Sequence, residues 1–297
     1  MSIGEQQLST WSNTGADSGS KKTYDRVKNI IDGSTFSKKS EVDIFLQGSY
    51  ANTTHVRADS DVDVVIKLKT VWNSDKSKLS DAEKQEYEKA TSNATYGHDE
   101  LRNELITIFR NELGAANVDA SKKCIKLKLG DSYLNADVIP CLSYRIYRSF
   151  SSTKQDDYIE GIAIKKTDGK MIHNFPKHHI NNGVKKHQNT DEYYKKVVRI
   201  LKNMRNKLIA DGSISEGVAP SYFIECLTYN IPNVNFGSSL QSSVLNTLKW
   251  FSENHNKFDG LTCQNEVTKL FGSDETQWNI AHCQTFTNAT IKLWNGS

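Results

Sequence analysis

The stretch FLQGSYANTTHVRADSDVDVVIKL, Phe45 to Leu68, limits the fold more tightly than any other part of the chain. Its second half reads as a core strand, yet it carries Asp61 and Asp63 among valines. Residues two apart on a strand face the same side, so the two carboxylates project together while Val62, Val64 and Ile66 pack the opposite face into the core. By the strand rise their Cα atoms lie about 7 Å apart, close enough to repel unless a cation sits against them. A hard divalent ion such as magnesium takes carboxylate and phosphate oxygens together. Two such ions about 3.5–4 Å apart form a clamp for in-line phosphoryl chemistry.

The first half of the stretch adds a Gly48-Ser49 step after a strand predicted over EVDIFLQGS. Glycine lets backbone approach a ligand closely, and N–H groups opening a short helix attract phosphate. Ser49 adds a hydroxyl. A third acid is expected on a neighbouring strand, and Asp137 in NADVIP, flanked by Ala136, Val138 and Ile139, supplies it. Together these residues suit a nucleoside triphosphate with its magnesium ions.

The remaining pattern places these motifs in an α+β chain. An amphipathic helix is expected in the segment from about Gln6 to Ile31, closed by Gly33. Strands follow over SDVDVVIKLK, CIKLKL and YLNADVIPCL, with helices over KLSDAEKQEYEKATSN and HDELRNELITIFRNEL between. From about Tyr193 the pattern is mostly helical, ending in a helix near Ala281 to Leu293. Strands first and helices later predict a sheet-bearing body over residues 1–155 and a helical lobe over 156–297. Between Lys165 and Lys207 twelve Lys/Arg stand against three Asp/Glu, although the whole chain carries only +3. The basic positions continue onto one side of a helix, which favours a phosphate-rich ligand.

LQGSY…T…DSDVDVVI resembles the G-S…D-x-D signature of the polymerase-β-like nucleotidyltransferases. YKKVVRILKNMRNK and APSYFIECLTYNIP narrow the resemblance to the bacterial CD-NTases, relatives of cyclic GMP–AMP synthase, over about Tyr24 to Trp294. The resemblance implies a palm sheet with a helical second lobe, bilobal around a central cleft. It implies a synthase that joins NTPs into a cyclic di- or trinucleotide messenger for antiphage signalling, releasing pyrophosphate. Asp61, Asp63 and Asp137 would hold two magnesium ions, with manganese as the alternative, and Asp137 would help activate the attacking hydroxyl. Gly48 and Ser49 would hold the donor triphosphate. Lys202 and Ser221 would reach its terminal phosphates, with Arg199 as a further phosphate contact, and Tyr222 would stack on the donor base. Relatives are either constitutively active or controlled by a regulatory protein partner, and a separate effector protein would sense the product.

No clustered His/Cys thumb is present, so activation by double-stranded DNA is not implied. His173, His178, His179 and His187 lack ligand spacing and read as phosphate-facing or solvent-exposed. The five cysteines read as free thiols; a zinc shared by Cys263 and the His282-Cys283 step lacks supporting spacing. No window is apolar enough to span a membrane. The N-terminal stretch has no signal-peptide pattern, so a cytoplasmic location is expected. Two rivals remain: a nucleotidyltransferase of the same fold that modifies an RNA end or a protein, and a nucleotide sensor without chemistry. The second would have lost one of the three acids, and all three are in place.

Overall fold

The computed structural model describes residues 3–14, 18–56, 61–120 and 123–296. In chain order its elements begin with α1 (Glu5–Ser12), α2 (Ser18–Gly33), β1 (Val42–Leu46), α3 (Gly48–Ala51) and β2 (Val62–Asp75). Next come α4 (Asp81–Ala90), α5 (His98–Leu113), β3 (Val118–Asp119), β4 (Ile125–Leu127), β5 (Ala136–Ser149), β6 (Asp157–Lys165) and β7 (Met171–Asn174). Five helices complete the chain: α6 (Pro176–Gln188), α7 (Tyr193–Ala210), α8 (Ser221–Tyr229), α9 (Leu240–Asn254) and α10 (Ile280–Gly296).

The chain forms two compact units, each assembled from separate stretches. Ser18–Gln47 and Ser60–Pro176 make the sheet unit; Met1–Asp17, Gly48–Asp59 and Lys177–Ser297 make the helical unit. This division differs from a single cut at 155/156, because β6 and β7 extend the sheet to Asn174 and two earlier stretches belong to the helical unit. The expected N-terminal helix is likewise two helices, α1 and α2, in different units, and the part of it over 15–17 lies outside the described residues. So does Arg57–Ser60, the start of the acid motif.

The sheet runs in the order β1-β2-β5-β4-β3, with β6 on β5 and β7 on β6. The β2–β5 pair is parallel and its neighbours are antiparallel. Parallel strands need a long crossover, here supplied by α4, α5, β3 and β4. Strands buried on both faces read as continuous apolar runs rather than alternating ones. Val62, Val64, Val65, Ile66 and Leu68 accordingly have no exposed surface. Val65, on the face that also bears Asp63, packs with Ile139, Cys141, Ile162 and Ile164. The KLSDAE sequence starts α4 through a capping box: Ser80 accepts from the Glu83 amide, and the Glu83 carboxylate accepts from the Ser80 amide.

In the helical unit, α7 supplies the central apolar stripe, with Val197, Val198, Ile200, Leu201 and Met204 buried against residues of α1, α8, α9 and α10. All five cysteines are buried free thiols. Among the described residues no helix is long and apolar enough to cross a membrane.

Candidate active site

The acids lie at the beginning of their strands rather than in the middle. Asp61 immediately precedes β2, Asp63 is its second residue, and Asp137 is the second residue of β5. The parallel register sets Asp63 directly beside Asp137. On the other side of β5, Lys126 of β4 is the register partner of Asp137. One edge of the sheet unit therefore gathers three carboxylates and a lysine from β2, β5 and β4.

Burial and carboxylate repulsion dominate the electrostatics at Asp63. Burial, then Asp137, then Asp61 push the Asp63 carboxyl up to about 7, and Lys123 and Lys126 only partly oppose this. The Lys126 ammonium lies 3.3 Å from Asp137 Oδ1 and 3.7 Å from Asp61 Oδ2. Those carboxylates, led by Asp137, raise the Lys126 pKa. Among the described residues no group of three or more histidine, cysteine, aspartate or glutamate side chains is placed to hold a metal ion by itself. The donor chemistry nevertheless fits a hard cation: carboxylates from neighbouring strands lie together, and burial followed by Asp137 raises the Asp63 carboxyl.

Strand geometry elsewhere on β2 shows the contrast. Lys67 is fully internal and meets two acids, Glu160 Oε1 at 2.6 Å and Asp43 Oδ2 at 3.6 Å. Lys69 also reaches Asp43 Oδ1 at 3.6 Å, so two lysines there answer two acids within the fold; at the strand start three carboxylates lie together.

The other expected residues fall in the helical unit. Gly48 has φ +70, a left-handed conformation that favours glycine, and it opens α3. The turn after α3 closes when the Thr54 amide donates to Ser49 O at 2.9 Å. Lys202 of α7 donates to Thr54 O at 2.9 Å and to Glu225 Oε1 at 2.9 Å. Glu225 also accepts from Thr54 Oγ1 at 2.7 Å, and His179 Nε2 lies 3.0 Å from its second oxygen. Burial raises the Glu225 pKa, but Lys202 first and His179 next outweigh it and hold the carboxyl down at about 2.

This network corrects the expected basic face. Lys195, Arg199 and Lys202 are buried, and their polar ends are used inside the fold. Lys195 donates to Thr53 Oγ1, while Arg199 donates to the Ser12 and Thr53 carbonyls. The Lys202 ammonium has no exposed surface and is ion-paired to Glu225, and Lys202 and Arg199 both donate to carbonyls of the turn that follows Gly48 and Ser49. Three of the four histidines are likewise engaged within the fold. His179 is buried on Glu225, His173 stacks on Tyr144 at 3.8 Å between centroids, and His187 meets the Lys195 amide. Tyr222 is half-buried, with its ring stacked against His179 at 4.6 Å and Trp278 at 5.6 Å. Much of the surface expected to receive a base thus meets protein rings. Ser221 opens α8, and its Oγ accepts from Arg205 Nη2 at 3.3 Å.

Sequence reasoning passed over Lys126 and Glu225. Both left a signal: Lys126 is the outward residue of an Ile-Lys-Leu alternation, and Glu225 is an acid in the otherwise apolar run YFIECL. An acid on a buried helix face requires a partner.

Comparison with known proteins places this arrangement. Residues 181–295 match the family model of the cGAS/DncV-like nucleotidyltransferase C-terminal helical domain. The chain is 37% identical to the cyclic nucleotide synthase CdnE01 of Staphylococcus haemolyticus over 99% of both chains. It is 35% identical to a cyclic dipurine nucleotide synthase of Elizabethkingia meningoseptica, over 91% of this chain and 90% of that one. The structure of the Rhodothermus marinus CdnE c-UMP-AMP synthase, determined with Apcpp and Upnpp, superposes with a TM-score of 0.89 at 33% identity, covering 99% of this chain and 97% of that chain. The chain belongs to the cGAS/DncV-like nucleotidyltransferases, the CD-NTase family of cyclic-nucleotide synthases.

Proposed function

We propose that this CD-NTase joins two or three nucleoside triphosphates into a cyclic oligonucleotide, with attack of a 3′- or 2′-hydroxyl on an α-phosphate, loss of pyrophosphate and a second attack that closes the ring. The observation that carries the reading is the in-register Asp63–Asp137 pair with Asp61 near it, carboxylates whose mutual repulsion adds to burial in raising Asp63. Asp61, Asp63 and Asp137 would hold the divalent ions, two magnesium or manganese, which when bound would neutralise phosphate charge. Asp137 would orient and help deprotonate the attacking hydroxyl, and Asp63, held beside it by the strand register, would fix the geometry.

Gly48 and Ser49 are assigned to the donor triphosphate, and Ser221 to its terminal phosphates. Lys202 and Arg199 enter as supports of the Thr53–Thr54 turn, consistent with their hydrogen bonds. Tyr222 would contribute a base contact through the part of its ring that His179 and Trp278 leave exposed. The product would serve as an antiphage second messenger in the cytoplasm, read by a separate effector, with a protein partner as the regulator where activity is not constitutive.

Modification of an RNA end or a protein is less favoured, because the relatives aligned over nearly the whole chain are named for cyclic products. Those relatives differ in their bases, so the test supplies all four NTPs, each radiolabelled in turn, with Mg²⁺ or Mn²⁺. Phosphatase digestion followed by mass spectrometry is expected to leave a resistant cyclic product. Only linear or macromolecule-attached products would overturn the reading.

A further inference from the structure

We propose that Lys126 is a built-in counter-cation of the carboxylate cluster, a positioning residue that bridges Asp61 and Asp137 when no divalent ion is bound and yields them when one binds. The inference rests on the reading of those acids as metal ligands. Three observations carry it. Lys126 stands opposite Asp137 in the β4–β5 register, so the backbone delivers the side chain to the acids. Its single ammonium reaches the carboxylate of Asp137 on β5 at 3.3 Å and that of Asp61, just before β2, at 3.7 Å. Its side chain is 49% exposed, so it has room to leave, unlike Lys67 at 3%.

The physical consequence is competition. A monovalent ammonium between two carboxylates relieves their repulsion and keeps their side chains near one another. A divalent ion binding the same oxygens gains more charge neutralisation but must displace the ammonium, and the two cations repel at close range. Lys126 therefore lowers metal affinity while steadying the metal-free site. Exposed ion pairs are individually weak, so the effect is moderate: replacing Lys126 with a neutral residue of similar length should tighten divalent binding about three- to ten-fold.

The test measures Mn²⁺ binding to the full chain by electron paramagnetic resonance of the free ion, without nucleotide, for wild type, Lys126→Met and Lys126→Arg. Thermal melts are recorded for each protein with and without Mn²⁺. Lys126→Met is expected to bind Mn²⁺ more tightly and Lys126→Arg to stay within about two-fold of wild type, since the charge is retained. Metal-free Lys126→Met should melt below wild type, and saturating Mn²⁺ should close that gap. Unchanged or weaker binding by Lys126→Met overturns the inference. So does equal tightening by Lys126→Arg, which would make shape rather than charge the cause, or a melting gap that Mn²⁺ leaves untouched. Asp63→Asn separates the two levels. Wild-type Mn²⁺ binding by that variant would overturn the carboxylate reading itself, whereas its loss alongside an unmoved Lys126→Met would overturn only the role of the lysine.

Discussion

Two charged clusters, one in each unit, use the same residue types to opposite ends. In the helical unit Glu225 is surrounded by Lys202, His179 and Thr54, all buried, and every charge is answered from within the fold. In the sheet unit Lys126 lies close to Asp137 and Asp61, and burial with the neighbouring Asp137 and Asp61 pushes Asp63 up to about 7. Matched charges make a brace. Crowded carboxylates leave work for a cation. A buried cluster that must stay folded without help is neutralised internally, because an uncompensated buried charge costs several kcal/mol. A cluster that receives cations and phosphates can tolerate imbalance where solvent screens it.

The sharpest way to break this comparison is Asp63→Asn. Cyclic-product formation should fall about 10³-fold or more, as removal of several kcal/mol of transition-state stabilisation predicts, while the circular-dichroism spectrum and melting temperature hold or improve. Retained activity would make the sheet-unit acids structural like their counterparts in the helical unit. Glu225→Ala should do the reverse and cost about 3–5 kcal/mol of unfolding free energy in denaturant titrations, by stranding Lys202.

The pH dependence sharpens the same point. The Glu225 carboxyl sits at about 2 in the fold, below its ordinary 4.5. Its contribution is fully present above the unfolded value and is lost as pH falls from about 4.5 through 2. Glu225→Gln should therefore flatten the stability profile in that window, and an unchanged acid limb would remove Glu225 from the brace. The smallest effect is expected at the surface, where Arg148 Nη1 lies 3.1 Å from Asp157 with both side chains about half exposed. Arg148→Ala should shift stability by no more than about 1 kcal/mol in the same titrations.

Legibility in the sequence followed the range of the interaction. The runs that form β1, β2, β5 and the long helices were readable because burial imposes a local period, and Gly48-Ser49 before a short helix was readable from backbone chemistry. β3, β6 and β7 were not anticipated: β3 is two residues long, and DYIEGIAIK carries two acids and a glycine that blur its alternation. The basic residues of α7 showed their spacing but not their destination. Helical periodicity places Lys195, Arg199 and Lys202 on one side without saying whether that side meets solvent or the Thr53–Thr54 turn.

The sequence by itself determined that two acids share a face at a strand, that a third stands ready in NADVIP, and that the motifs belong to one nucleotidyltransferase family. These depend on residue type and local period. Only the tertiary structure decided that Asp63 and Asp137 are register partners, that Lys126 bridges Asp137 and Asp61, and that Lys202 is bound to Glu225. Strand pairing and helix packing join residues many tens of positions apart. The net charge at any point is a sum over those distant partners, which no local pattern contains.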